Sequence, residues 1–355
     1  MTSLERCLAV LNGEMPDYLP VIPQSFMFAV ETAGMRIKDV SRNGRKMAEA
    51  HLVSREKYGY DGCIIDFDDA TIAEALGAKV IFRDDAPAVV NEDEPVLKNL
   101  RDIYSLDLPD PNTSGRLGIW LETTSRLMDA IGDAVFVMGR ADQGPFSIAC
   151  LLRGTTQFMM DLCTEEEQVL HDVIEYCRKA SLIFAKAQKD AGAHATSIGD
   201  ALAGPNLISP EMYRQFAFEP EKKLITEVQE YGIPMALHIC GNTNRIIEDM
   251  GQTEAKILEI DWQLNLANAR KAIPESTILM GNVNPSEPLV FGTPEDVDQA
   301  VRYVVEATAG KGLFISSGCA MGSNTPPENM YAFIAAARKY GACEYVMNLN
   351  KPSAS

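Results

Sequence analysis

The sequence predicts an α/β fold, a (β/α)8 TIM barrel with an N-terminal helical extension and an excursion after the second strand. Three observations carry that expectation. Eight short apolar runs, each apolar enough to be buried on both faces, alternate with segments of helical periodicity, a pattern that parallel strands joined by helices satisfy most economically. The length, 355 residues, is one that a single barrel reaches, so one domain over 1–355 is expected. Polar residues, finally, gather at the ends of the apolar runs, where the chemistry of a barrel sits.

An amphipathic helix at 4–11 precedes the first strand, 19–24 (LPVIPQ). Helical spacing then runs through 43–58, and Gly59 stands where a C-terminal cap belongs. The second strand, 62–67 (GCIIDF), runs straight into Asp68-Asp69. From 75 to 110 the sequence is proline-rich, acidic and weakly periodic, with β-like pieces such as AKVIF, and it reads as an excursion over one mouth of the core. Regular alternation follows: helix 121–131, strand 134–140, a loop holding Gly144-Pro145, helical sequence over 164–190, and strand 195–198 ending at Gly199-Asp200. The loop ALAGPNLISPEMY leads to helix 220–231 and the fifth strand, 233–240. Helix 243–250, strand 256–261, a short helix and strand 277–283 come next. GTPED reads as a cap for the amphipathic helix 296–308, strand 312–319 is the eighth, and Pro326-Pro327 opens the last helix, 328–340.

Composition excludes several classes of function. A formal net charge of −18 with no basic cluster repels a phosphate backbone, so nucleic acid is not expected as a partner. No apolar run approaches the roughly 18 residues that span a bilayer, so no membrane is expected. The opening MTSLERCLAVLNGEMPDYLP places acidic residues where a secretory signal wants a basic start, and a cytoplasmic location is expected. Eight cysteines without such a signal predict reduced thiols, with Cys7, Cys150, Cys163, Cys177 and Cys343 assigned to packing or surface.

The chemistry starts from ALHICGNT. In a strand alternate side chains share a face, so His238 and Cys240 project together, and Cys319, in LFISSGCAMG, offers a third donor from the last strand. Taken singly, each reads as an ordinary core residue. Taken together at strand ends of one barrel, two thiolates and an imidazole suit Zn²⁺ and leave a coordination position open. Sulfur ligands make the ion a weak activator of water, but a thiol bound to it loses its proton and stays nucleophilic, which favours thiol alkylation over hydrolysis. Asp261, at the end of the sixth strand, is expected as a possible fourth metal ligand, displaced when the thiol arrives. The other strand-end polar residues are Asp68, Arg140 with Asp142, Asp200, and Asn282 with Asn284. Of these, Asp68, Asp200 and Asn282 are expected to face a substrate at the barrel mouth, while Asp142, Asp200 and Asp261 have the alternative of capping helices.

ERCLAVLNGEMPDYLPVIP, DDATIAEALGAKV, GPFSIACLLRG, ISPEMYRQF, LHICGNT, ILMGNVNP with GTPEDV, and SSGCAMGSNTPPENM together resemble the uroporphyrinogen decarboxylase superfamily across almost the whole chain. The H-x-C pair with its distant cysteine resembles the zinc-dependent methylcobalamin:coenzyme M methyltransferases and related corrinoid methyltransferases within it. That resemblance implies a zinc held by His238, Cys240 and Cys319, and a thiolate that takes the methyl group of methylcobalamin or of a small corrinoid protein. Asp68 falls where the decarboxylases carry the aspartate that binds their tetrapyrrole. The arginine-rich N-terminal segment of the decarboxylases is replaced by VIPQSFMFAVETAG, which ranks decarboxylation below methyl transfer. Two alternatives remain: demethylation of a methoxy or methylamine donor onto cob(I)alamin, and a non-catalytic zinc- or corrinoid-binding partner.

Overall fold

A computed structural model of the chain describes residues 1–66 and 68–351. Seven parallel strands pair in chain order: β1 (Gly62–Ile64), β2 (Phe136–Gln143), β3 (Ala195–Gly199), β4 (Met235–Ile239), β5 (Ile257–Ile260), β6 (Ile278–Val283) and β7 (Leu313–Ser317). The expected first strand lies in the seam between the two edges. Ile22 N donates to Ile315 O, Ile315 N to Pro20 O and Asp61 N to Val21 O, so residues 19–24 join β7 to β1 and close the barrel. Pro20 and Pro23 lack the amide hydrogens that a longer ladder needs, which is why this segment bridges without forming a regular strand. The expected end of the second strand, Phe67, lies outside the described residues.

Strand alternation sorts the core into two layers. Ile22, Ile64, Phe136, Met138, Ala195, Ala236, Ile257, Ile278, Met280 and Phe314 form one buried cluster that fills the lumen, while neighbours such as Cys63, Val137, Leu237, Leu279 and Ile315 pack outward against the helices. The first helix, Ser3–Leu11, starts from a Thr2–Glu5 capping box and sends Cys7, Val10 and Leu11 into the lumen cluster. It is fixed by Arg6, whose guanidinium meets Asp61 at 2.8 Å and Asp17 at 2.7 Å.

Two residues further along each inward row the character changes. Gln24, Asp66, Arg140, Ser197, His238, Glu259, Asn282 and Ser316 occupy those positions, and every one is polar and buried. An apolar plug at the N-terminal end of the barrel therefore gives way to a polar layer at the C-terminal end. The excursion arrives over that end: it contains helix Thr71–Ala75, an antiparallel ribbon of Val80–Ile81 with Val89–Val90, and a 3₁₀ turn at Leu100–Ser105.

The expected helices are found at Gly44–Tyr58 with Gly59 in the left-handed region, at Leu117–Ile131, at Pro294–Thr308 and at Pro327–Tyr340. The expected run over 164–190 is a helix from Glu167 to Asp190, preceded by helices Pro145–Arg153 and Thr155–Thr164. A final helix, Cys343–Leu349, is an addition to the sequence reading. No helix among the described residues is long and apolar enough to cross a membrane.

Candidate metal centre

His238 is the inward residue of β4 that follows Ala236, and Cys240 follows it in the same row just past the end of the strand. Cys319 lies two residues beyond β7. The fold brings the three together: their ligand atoms all lie within 4.8 Å of one another, with His238 Nε2 and Cys240 Sγ 3.1 Å apart. Donors on one tetrahedral zinc, at bond lengths of about 2.0–2.3 Å, stand roughly 3.5–3.8 Å apart. The set fits such an ion in donor chemistry and nearly in spacing. His238 Nδ1 lies 3.0 Å from the Glu259 carbonyl on β5, an oxygen that only accepts. The ring hydrogen is thereby fixed on Nδ1, and the Nε2 lone pair faces the two sulfurs, as a metal-binding imidazole requires.

A proton on Nε2 is held tightly by the same pocket. Burial opposes a charged ring at His238, but its hydrogen bond to Cys319 and the charges of Cys319 and Glu259 outweigh it and push the pKa up to about 9. Cys240 and burial in turn push the Cys319 thiol up. A metal entering this site displaces protons.

Behind the triad sits a buried cation. Arg140 Nε meets Asp66 at 3.0 Å and Arg140 Nη1 meets Glu259 at 3.0 Å, and Nη1 also donates to Ser197 Oγ at 3.2 Å. Burial, offset by Arg140 but reinforced by Asp69, Asp68 and Glu259, raises the Asp66 carboxyl to about 8. Asp66, Arg140 and the triad line a cavity of about 220 Å³ whose wall also includes Gln24, Phe26, Asp69, Gln143 and Pro87 of the excursion. A larger groove, about 640 Å³, opens at the opposite end of the barrel, where Lys256, Ser276 and Gly312 precede β5, β6 and β7. It has no histidine or cysteine among its described lining residues, and barrel chemistry belongs at the other end.

The remaining expected site residues divide. Asp68 lines the cavity, but Arg116 grips both its oxygens at 2.6 and 2.9 Å, and its Oδ1 accepts the Ala70 amide at the start of helix Thr71–Ala75. Asp261 is not a member of the donor cluster. Its Oδ2 accepts the Gly241 amide at 2.9 Å and its Oδ1 the Gln263 amide at 2.8 Å, so each oxygen holds one of the loops that follow β4 and β5. Asp200 is fully buried, is not part of the cavity wall, and accepts from Phe146 N, Ser147 N and Ser147 Oγ, capping helix Pro145–Arg153 from outside its own segment. Gly144 permits that approach, since a Cβ there would stand 2.4 Å from the Asp200 carboxyl. Asn282 Nδ2 donates to the carbonyls of Asp261 and Leu264 and lies outside the cavity wall. Asp142 takes its helix-capping alternative, accepting the Ile72 amide at 2.6 Å.

Sequence reasoning passed over Asp66, Glu259, Asp69, Gln143 and Gln24. The signal for two of them is plain in retrospect: Asp66 in GCIID and Glu259 in ILEI are carboxylates at inward positions of apolar runs, and such a group needs a buried counter-charge.

Comparison with known proteins adds a second line. The sequence pattern of the family described as Uroporphyrinogen decarboxylase (URO-D) matches residues 2–340. Methylcobamide:CoM methyltransferase MtbA of Methanosarcina acetivorans is 28% identical over 344 residues, covering 96% of this chain and 98% of that protein. A uroporphyrinogen decarboxylase of Prochlorococcus marinus is 27% identical over 285 residues, 78% of each chain. Among solved structures, a methyltransferase from Methanosarcina mazei superposes with a TM-score of 0.87 at 25% identity, covering 96% of this chain and 99% of its own.

Proposed function

Because the chain belongs to the uroporphyrinogen decarboxylase (URO-D) family, we propose that it is a zinc-dependent methyltransferase that moves a methyl group between a methylated corrinoid and a thiol. The observation that carries this reading is the convergence of His238, Cys240 and Cys319 on one wall of a cavity at the C-terminal end of the barrel. An N/S donor set with one position left open is the chemistry of a thiolate-binding zinc. The near full-length similarity to proteins named methylcobamide:CoM methyltransferases supports the corrinoid as co-substrate and a corrinoid protein as partner.

A bound zinc would supply a Lewis acid that removes the proton of an arriving thiol at neutral pH. The chain's own residues do the rest. Glu259, through its main-chain carbonyl, orients His238 so that its Nε2 lone pair is presented to the site. Arg140, held between Asp66 and Glu259, keeps a positive charge behind the sulfurs without entering the donor set. In the transfer the thiol sulfur bonds to the methyl carbon while the cobalt–carbon bond breaks, and that bond's electron pair remains on cobalt.

The test joins metal analysis to a methylcobalamin assay followed by its visible absorbance against a panel of thiols. About one zinc per chain and thiol-dependent loss of methylcobalamin are expected, both abolished by Cys319→Ala. Zinc-loaded protein that demethylates methylcobalamin with no thiol tested sinks the proposal. Methylation of cob(I)alamin from a methoxy or methylamine donor without any thiol replaces it with the demethylase reading.

A further inference from the structure

The charges around the cavity bear on which thiol it accepts. Four charged side chains line it: Asp66, Asp68, Asp69 and Arg140. Asp68 is neutralised by the two-point grip of Arg116. Arg140, the one cation in the wall, is committed on one side to Asp66 and on the other to Glu259. What remains is Asp69, whose carboxyl pKa is pushed up by burial and drawn back down by the more distant charge of Arg140. It is exposed to the cavity, its Oδ1 takes a hydrogen bond from Gln143 Nε2 at 2.6 Å, and among the described residues no lysine or arginine stands within ion-pair distance of it.

We propose that Asp69 is the specificity-determining residue of the acceptor site, and that the site takes an aminothiol, a small thiol with a protonated amine on its tail, in preference to a thiol with a sulfonate or carboxylate tail. The inference rests on the thiol-methylation reading above. A divalent ion with two thiolate ligands is already neutral, so a third, substrate sulfur brings negative charge toward a wall where Asp66 and Asp69 share one guanidinium, itself paired with Glu259 behind it. An anionic tail would add a second negative charge beside Asp69 with no free cation to receive it. An ammonium group instead forms an ion pair with Asp69 while its sulfur occupies the open position. Size agrees: a sphere of 220 Å³ is about 7.5 Å across, and two carbons separate sulfur from nitrogen by roughly 4 Å.

Calorimetric titration of the zinc-loaded protein with three thiols of equal length tests this. The probes are 2-aminoethanethiol, 2-mercaptoethanol and 2-mercaptoethanesulfonate. The amine is expected to bind roughly tenfold or more tightly than the sulfonate, after correction for each thiol's own pKa. In Asp69→Asn the amine-to-neutral affinity ratio falls to near one, and in Asp69→Lys the order of amine and sulfonate inverts. Zinc content of each variant, measured separately, confirms that the centre is intact. A wild-type protein that binds the sulfonate as well as the amine overturns the proposal, as does an amine preference that survives Asp69→Asn. If the neutral thiol also fails to bind, the thiol reading itself falls and takes the proposal with it, an outcome distinct from a wrong charge preference.

Discussion

Gly318→Ala is the substitution through which the fold and the centre are most sharply linked. Gly318 precedes Cys319, and its amide donates to Val283 O at 2.8 Å. A Cβ added there would stand 2.4 Å from the main-chain nitrogen of Trp262 and 2.9 Å from its Cα and Cβ. Ordinary contact between such atoms is about 3.5 Å or more, so an overlap of roughly 1 Å must be relieved. Because the obstacle is backbone, the turn that carries Cys319 has to move. Overpacking of this kind costs about 1–3 kcal/mol of stability. Metal–ligand distances tolerate only about 0.2 Å, so the same shift moves a sulfur out of bonding range and lowers zinc affinity by at least about tenfold. Competition with a chromophoric chelator measures the affinity, and a chemical unfolding curve measures the stability. Gly77→Ala is the control: its φ of +98° makes an alanine strained, yet nothing lies within 4 Å of the added Cβ and the residue is remote from the donors. It is expected to lose stability with zinc affinity intact. Wild-type zinc affinity in Gly318→Ala would refute the argument that close packing of this turn against Trp262 positions Cys319.

Arg140→Gln removes the only cation between Asp66 and Glu259 and leaves two buried carboxylates facing each other, which is expected to cost about 3–5 kcal/mol; an unchanged denaturant midpoint would show that the pair is not the counterweight described. His51 reports on pH. Its ring is fully buried in the helix Gly44–Tyr58, and burial lowers its pKa from 6.5 to about 4, so the folded protein keeps it neutral while the unfolded chain protonates it below pH 6.5. The native state therefore binds fewer protons between about pH 6.5 and 4, and stability that is whole above that window is lost as pH falls through it, by on the order of 3 kcal/mol in all. His51→Gln is expected to remove that part of the slope in stability measured from pH 7 to 4, and two parallel curves would refute the assignment.

The barrel was legible because each strand carries the same period, apolar on both faces and bounded by turns. Where the reading slipped, local chemistry accounts for it. Pro20 and Pro23 look harmless in a run of apolar residues, yet they reduce the first strand to a few bridging bonds. His238, Cys240 and Cys319, which the fold brings together, stood out in the sequence because nitrogen and sulfur donors at strand ends are a rare combination. Asp200, Asp261 and Asn282 were harder to read because a polar residue at a strand end looks the same in sequence whether it faces a ligand or an orphan backbone group. Only the positions of Phe146, Gly241 and Leu264 distinguish the two. Arg140 was noticed as a strand-end residue, but its partners lie 74 and 119 positions away along the chain, and long-range pairing has no local signature.

The placement of the three donors relative to the strands bears on how the centre would work. His238 lies inside β4, paired in register with Glu259 of β5 and held by that residue's carbonyl, so its position is set by the sheet itself. Cys240 and Cys319 lie past the last paired residues of their strands, Ile239 and Ser317. Their backbone is held from the side instead, Cys240 through the Gly241 amide on Asp261 and Cys319 through the Gly318 amide on Val283. One donor is thus fixed by the barrel and two by loop contacts that yield more readily. Were an ion held by this set, the imidazole would be its sheet-anchored ligand and the two thiolates its loop-anchored ones. Asp261, outside the cluster of three donors, acts on the centre through the loop after β4: Asp261→Asn, which weakens its grip on the Gly241 and Gln263 amides, is expected to disturb Cys240 while leaving the His238–Glu259 contact untouched.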